Sequence, residues 1–278
     1  MKILKYLSLY LVIAFFMSSC DEHEIEFMTT DVADGIAEFQ LHYYVPVTAG
    51  TANYIYRVEI NDELYANSTA PLYTYNAIPN GTVGKFYTVA AGTVNIKLYK
   101  GADLELVYDK DVTLSEGKQN VFVYDFDEEP KVFENGCPTE TVSEYGDSTQ
   151  WIKFYNFLYE SDGTPVDFKI QYQFLDPDTD ERVNIGEPVG FGEATDWEPV
   201  KITKTIYNSS GYCYIYYRML IVDSDGNVGD DLTLLKSSGS YKTYSDYWKA
   251  YYGRYCHHVM AGCRTETPVA SVRQFRAL

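Results

Sequence analysis

From Ala37 onward, short apolar runs alternate at period two, and this leaves the chain little to build except sheets. Val94, Ile96 and Leu98 fall on one side while Asn95 and Lys97 fall on the other; Tyr56, Val58 and Ile60 alternate in the same way with Arg57 and Glu59. Successive side chains of a strand point to opposite faces, so each run offers one face to a core and one to water. The cleanest case is Val166, Phe168, Ile170, Tyr172 and Phe174, interleaved with Asp167, Lys169, Gln171 and Gln173. Turn residues separate the runs: Asn61-Asp62, Pro79-Asn80-Gly81, Ala91-Gly92, Ser115-Glu116-Gly117 and Asp176-Pro177-Asp178. Aromatic residues make up 16% of the chain, 28 of them Tyr, which suits strands better than helices. The expected fold class is all-β, as two tandem β-sandwich domains.

Charge sets the expected boundaries. Residues 21–36 hold six carboxylates and residues 134–149 hold four, with no Lys or Arg in either stretch. Like charge keeps such segments extended and solvated, so they are expected to be connectors. The resulting order is an acidic tether over 20–36, a first sandwich over 37–133, an acidic linker over 134–149 and a second sandwich over 150–278, the two sandwiches folding separately.

Residues 1–19 precede all of this and read as an export signal. Lys2 and Lys5 lead into an apolar run from Leu7 to Met17, which stops at Ser18, Ser19 and Cys20. The run is shorter than the roughly 20 residues a membrane-spanning helix needs, and it ends in small residues, as a cleaved segment does. An ordinary secretory cut near Ser19 is the simpler reading. Cys20, followed at once by Asp21, Glu22, His23 and Glu24, favours a bacterial lipoprotein whose mature chain begins at an acylated Cys20, with more than one acyl chain, palmitate included. The acidic group Asp21, Glu22 and Glu24 resembles the surface-export signal of Bacteroidota lipoproteins. That resemblance implies an outer-membrane, lipid-anchored, cell-surface protein, with the membrane as partner through the Cys20 lipid.

The formal charge of −18 argues against nucleic acid as a partner, because gripping a phosphate backbone takes clustered Lys and Arg. Beyond Cys20 there are four cysteines: Cys137, Cys213, Cys256 and Cys263. An exported protein can form disulfides, and four cysteines allow three pairings. Cys256 and Cys263, nearest in sequence, could staple a strand to its following turn. Buried free thiols are the equal alternative.

Three stretches together carry a family resemblance: Arg57 to Asp62, Val89 to Leu98 and Leu114 to Val123. Their strand, small-Gly step and Gly-Lys turn are similar to domain of unknown function family 4397, with Asn61-Asp62 in place of the usual hairpin glycine. In the second half, Val166-Asp167-Phe168 and Tyr255 to Gly262 resemble that family's opening and closing strands. The resemblance implies tandem immunoglobulin-like β-sandwiches on a surface lipoprotein, and it implies no catalytic residues.

The sharpest local pattern is Tyr241, Tyr244, Trp248, Tyr251 and Tyr255, spaced by 3, 4, 3 and 4. On a helix these rings share one face, and Tyr244, Trp248 and Tyr251 are the candidate ligand-binding residues, as rings for stacking on a sugar or gripping a protein. The competing reading packs the same rings into the core. Asp223, Asp225 and Asn227 have the opening spacing of a calcium loop but lack its Gly and Glu, so a hairpin turn is expected there. Cys256, His257, His258 and Cys263 are the residue types of a zinc site. Adjacent residues of a strand face opposite ways, however, and no metal or other cofactor is expected. Hydrolase and metalloprotease signatures are absent and the chain has four His, so no enzyme is expected. The expected function is a non-catalytic binding or adhesion module with a glycan or outer-membrane protein partner. The alternative is a structural accessory subunit of an outer-membrane transporter or fimbrial assembly.

Overall fold

A computed structural model describes residues 34–138, 149–202 and 208–277, apart from the single positions 83, 162, 237 and 252. Cys20, Asp21, Glu22 and Glu24 lie outside the described residues, as does most of each acidic connector. Residues 34 to 278 form one compact unit.

The first sandwich holds β1 (Ile36–Tyr43), β2 (Ile55–Ile60), β3 (Glu63–Ala66), β4 (Asn76–Ile78), β5 (Tyr87–Ala90), β6 (Gly92–Lys100), β7 (Glu105–Leu114), β8 (Gly117–Val123) and β9 (Lys131–Glu134). One sheet runs β4-β1-β8-β9 with β5 also on β1; the other runs β3-β2-β6-β7. Val58, Ile60, Val94, Ile96 and Leu98 fill the space between them, as the alternation requires. Tyr56 does not. A register shift between Ile55 and Arg57 turns Ile55 inward in its place. Asn61 and Asp62 both have positive φ (51° and 64°) and close a two-residue hairpin between β2 and β3. By contrast, Ala91-Gly92 and Ser115-Glu116-Gly117 close no hairpin, because each carries the chain from one sheet to the other.

The second sandwich follows with β10 (Thr149–Ser161), β11 (Thr164–Pro165), β12 (Lys169–Leu175), β13 (Arg182–Val189), β14 (Glu193–Ala194), β15 (Glu198–Lys201), β16 (Cys213–Val222), β17 (Val228–Asp231), β18 (Thr233–Leu235), β19 (Tyr241–Thr243), β20 (Ser245–Ala250), β21 (Tyr255–Cys263) and β22 (Ser271–Arg276). Its inner sheet is β11-β10-β21-β22, with β14 and β15 on β10. Its outer sheet is β13-β12-β16-β17, with β20 also on β16, and β18 and β19 form a separate pair. In both sandwiches the first long strand pairs in parallel with a strand near the end, β1 with β8 and β10 with β21.

The two sandwiches share an aromatic layer. Residues of β1 and β8 that face away from the first core, with Tyr44 and Tyr124 just beyond those strands, meet Tyr155, Phe157, Tyr159, Val259 and Phe275 of the second inner sheet. Phe122 lies at the centre, 5.0 Å from the rings of both Tyr155 and Phe157. Strand β21 is buried along its whole length because it has a core on each side. The linker is less solvated than its charge suggests: Asn135 is buried, and Cys137 packs against the cluster of Trp151 and Tyr255.

No disulfide joins any of Cys137, Cys213, Cys256 and Cys263 among the described residues. Cys256 and Cys263 sit near opposite ends of β21, roughly 23 Å apart at strand rise, far beyond the reach of a disulfide. The staple expected between them does not exist.

Candidate functional site

The helix expected over the aromatic stripe is absent. Ser245–Ala250 is a strand whose burial alternates, with Trp248 and Ala250 inward. Tyr244 and Trp248 belong to the second core, Trp248 only 1% exposed, so the reading that gives them one exposed face is corrected. The Trp248 indole donates to Gln150 Oε1 at 3.0 Å, and the Tyr244 hydroxyl accepts from the Val272 amide at 2.9 Å. Their separation of four residues satisfies period two as well as a helical turn. The separations of three decide the matter by placing Tyr241 and Tyr251 away from the core. Tyr251 alone of the three candidates reaches the surface.

What it joins there is a row of rings on the outer face of the second sandwich. Tyr214 and Tyr216 point outward from β16 while Ile215 and Tyr217 point in; Tyr216 pairs with Tyr247 of β20 across the sheet. Tyr214, Tyr216 and Tyr247 are 41%, 56% and 48% exposed. The rings touch in sequence: Tyr251 to Tyr212 at 5.5 Å, Tyr212 to Tyr214 at 5.3 Å, Tyr214 to Tyr247 at 4.9 Å and Tyr247 to Tyr216 at 5.9 Å. Two of these contacts are close to perpendicular, the edge-to-face geometry that ring quadrupoles favour. Such contacts hold the rings in place.

Cations flank one end of the row. Lys249 lies 4.7 Å from the Tyr212 ring centre, and the Arg254 guanidinium stacks 3.5 Å from that of Tyr251. The Tyr212 and Tyr214 hydroxyls are 3.2 Å apart. That bond, and then the Lys249 charge, hold Tyr212 below the usual phenol value, while Tyr214 is pushed up. The row ends in two cavities. One of about 510 Å³ is lined by Arg182, Tyr216, Asp246 and Tyr247, and one of about 220 Å³ is lined by Lys249, Tyr251, Arg254 and Arg276.

The sequence signal for this row was the alternation Tyr212, Tyr214, Tyr216, interleaved with Cys213, Ile215 and Tyr217. Tyr217 on the inner face hid it, since both faces of β16 carry tyrosine.

The other candidates resolve locally. Asp223 Oδ1 accepts from the Asp225 and Asn227 amides, and the Asn227 side chain donates to the same carboxylate, closing the turn between β16 and β17. His257 and His258 do face opposite ways. His258 Nδ1 shares a hydrogen bond with the Tyr172 hydroxyl inside the second core at 2.9 Å, and His257 Nδ1 accepts from Tyr155 in the layer between sandwiches at 2.9 Å. Among the described residues no three His, Cys, Asp or Glu side chains gather as a metal site.

No protein-family model matches the chain, domain of unknown function family 4397 included, and no curated protein matches its sequence. Among solved structures, the Bacillus anthracis TIE protein is similar over 82% of this chain and 34% of its own, at 7% identity and a TM-score of 0.25. This chain thus spans about a third of that protein's length. A candidate cell adhesion protein from Bacteroides uniformis ATCC 8492 is similar over 88% of this chain and 100% of its own, at 9% identity and a TM-score of 0.22. At such TM-scores neither likeness carries a functional argument, and the all-β fold rests on the strands themselves.

Proposed function

We propose that the protein is a non-catalytic, surface-displayed binding module, anchored by a lipid on Cys20, which uses the tyrosine row of its second sandwich to hold a glycan. One observation carries the reading. Tyr214, Tyr216 and Tyr247 stand in water as a contiguous row, although the same sandwich buries Tyr155, Tyr159, Tyr172 and Trp248 completely or nearly so. An exposed aromatic patch costs solubility, and rings with a polar tip give large contact area at little entropy cost, which suits a binding surface. Sugar rings offer the C–H faces and hydroxyls that such rings and tips can meet.

The non-catalytic part rests on what the candidate acid–base groups do. His42, His257 and His258 are fully buried, so none can meet a substrate at the surface. Asp223, on the exposed turn, is tied to Asn227. The anchor and the export role of Asp21, Glu22 and Glu24 rest on the sequence pattern alone.

Changing Tyr214, Tyr216 and Tyr247 together to Ser should leave stability within about 0.5 kcal/mol per substitution and abolish binding on a glycan array. An unchanged array pattern overturns the role of the row. Capture of a single outer-membrane protein in place of any glycan, lost in the same variant, would instead make the protein an accessory subunit. Cys20→Ala should release the chain from the membrane fraction; retention with the leader removed overturns the anchor.

A further inference from the structure

The smaller cavity at the end of the tyrosine row runs against the composition of the chain. Lys and Arg number 22 against 40 Asp and Glu, yet the cavity is lined by Lys249, Arg254 and Arg276 with no carboxylate. None of the three forms an ion pair among the described residues, whereas Arg57, Lys97, Arg218 and Arg264 each have an acidic partner. Several strands deliver the cations to one place. Lys249 comes from β20, Arg254 from the connection into β21, and Arg276 from the end of β22, where its amide donates to Gly81 O at 2.7 Å.

Both guanidinium groups act on the buried Cys256 thiol, each favouring its thiolate against the burial that pushes it up. Cys256 lines the same cavity as both of them. The Arg254 guanidinium carbon lies 3.5 Å from the Tyr251 ring centre, a contact that anchors the group and leaves N–H donors for an oxyanion. Gln150, buried and fixed by bonds to Trp248 and Cys256, lines the cavity beside the exposed Gln274. The volume of about 220 Å³ equals the share of about seven liquid waters, more than a small inorganic anion needs and enough for one six-membered sugar ring.

Resting on the glycan reading above, we propose that this cavity is an acidic-sugar subsite. The carboxylate or sulfate of one saccharide unit sits between Arg254, Arg276 and Lys249, and the neighbouring units of the same chain lie along Tyr212, Tyr214 and Tyr247. The long-range field of so acidic a protein opposes this ligand, but charges beyond about 8 Å are largely screened at physiological salt, so the nearby cations decide.

Calorimetric titration of the purified full chain with trigalacturonate, a sulfated chondroitin trisaccharide and maltotriose tests this. The expected result is that at least one acidic probe binds tenfold or more tightly than maltotriose, and that Arg254→Gln with Arg276→Gln removes that preference while keeping any maltotriose affinity. The two acidic probes tell carboxylate from sulfate. Lys249→Glu, at an exposed position, gives a second variant should the double change disturb the fold, and it should lower acidic binding at least tenfold. Equal binding of acidic and neutral probes, unaltered in both variants, overturns the subsite and leaves the tyrosine reading standing. Binding of none of the three overturns the subsite, and a blank glycan array alongside would take the glycan reading with it.

Discussion

At the residue scale, the aromatic residues divide by what their polar tips reach. Trp248 has its indole N–H satisfied by Gln150 and its ring against Tyr172, Tyr217 and His258, so truncating it leaves a hole and an orphaned amide oxygen. Trp248→Ala should cost about 3–5 kcal/mol of stability by urea melt. Tyr216→Ser, one strand away on the other face, should cost almost nothing. Equal effects of the two changes would mean that the inner and outer faces of this sheet are wrongly assigned. The sequence pointed to Trp248 as a contact residue and missed Tyr216, because ring spacing says nothing about which side of a sheet has a second sheet against it.

At the scale of elements, β10 and β21 have a core on each face, and their sequences accordingly lack clean alternation. Gly262 shows how tight the fit is. Its φ is +112°, and a Cβ there would lie 2.7 Å from Ala270 Cα and 2.9 Å from Pro268 O, both backbone atoms. Gly262→Ala should therefore destabilise by about 2–4 kcal/mol through strain and overpacking, read as a lower urea midpoint. An unaltered midpoint would show that the connection from β21 into β22 yields freely. Strand β20 lies at the open side of β16, so its outward residues Tyr247 and Lys249 stand beside Tyr216 and Tyr214, and this one pairing assembles the row.

At the scale of the whole molecule, the two sandwiches are joined by more than a tether. A buried polar chain runs through the aromatic layer. His42 Nε2 donates to Asn120 Oδ1 at 3.1 Å, and Asn120 Nδ2 donates to Asn135 Oδ1 at 3.1 Å. His257 Nε2 donates to that same oxygen at 3.0 Å. With Tyr155 donating to His257 Nδ1, the chain closes only when His257 is neutral. Burial holds His42 and His258 down to about 3, and holds His257 well below its ordinary value. An unfolded histidine takes up a proton near pH 6.5, so stability is fully present above that value and falls as pH drops from 6.5 toward 3. Three such groups should give a slope approaching ~4 kcal/mol per pH unit below pH 6, seen in urea melts at pH 7.5, 6 and 5. Stability that is flat from pH 7 to 5 would refute neutral, buried histidines at this seam and in the second core. The sequence expects the sandwiches to fold separately; Phe122, Phe157 and Asn135 make contacts across the two, so each half alone would present this layer to water.

The period-two runs and turn residues determined an all-β chain, because the alternation of side chains along a strand is local geometry. Val58, Ile96, Ile170 and Tyr172 were readable as core for that reason, as was the Asp223 turn, whose bonds span a few residues. The tertiary structure alone decided which alternating face met a second sheet, which turns closed hairpins and which crossed between sheets. It also decided that an acidic linker would bury Asn135. These outcomes depend on the packing of strands far apart in the chain, and so does the candidate site: Tyr214 and Tyr247 are neighbours because β16 and β20 pair, and Arg254 and Arg276 because β21 and β22 do.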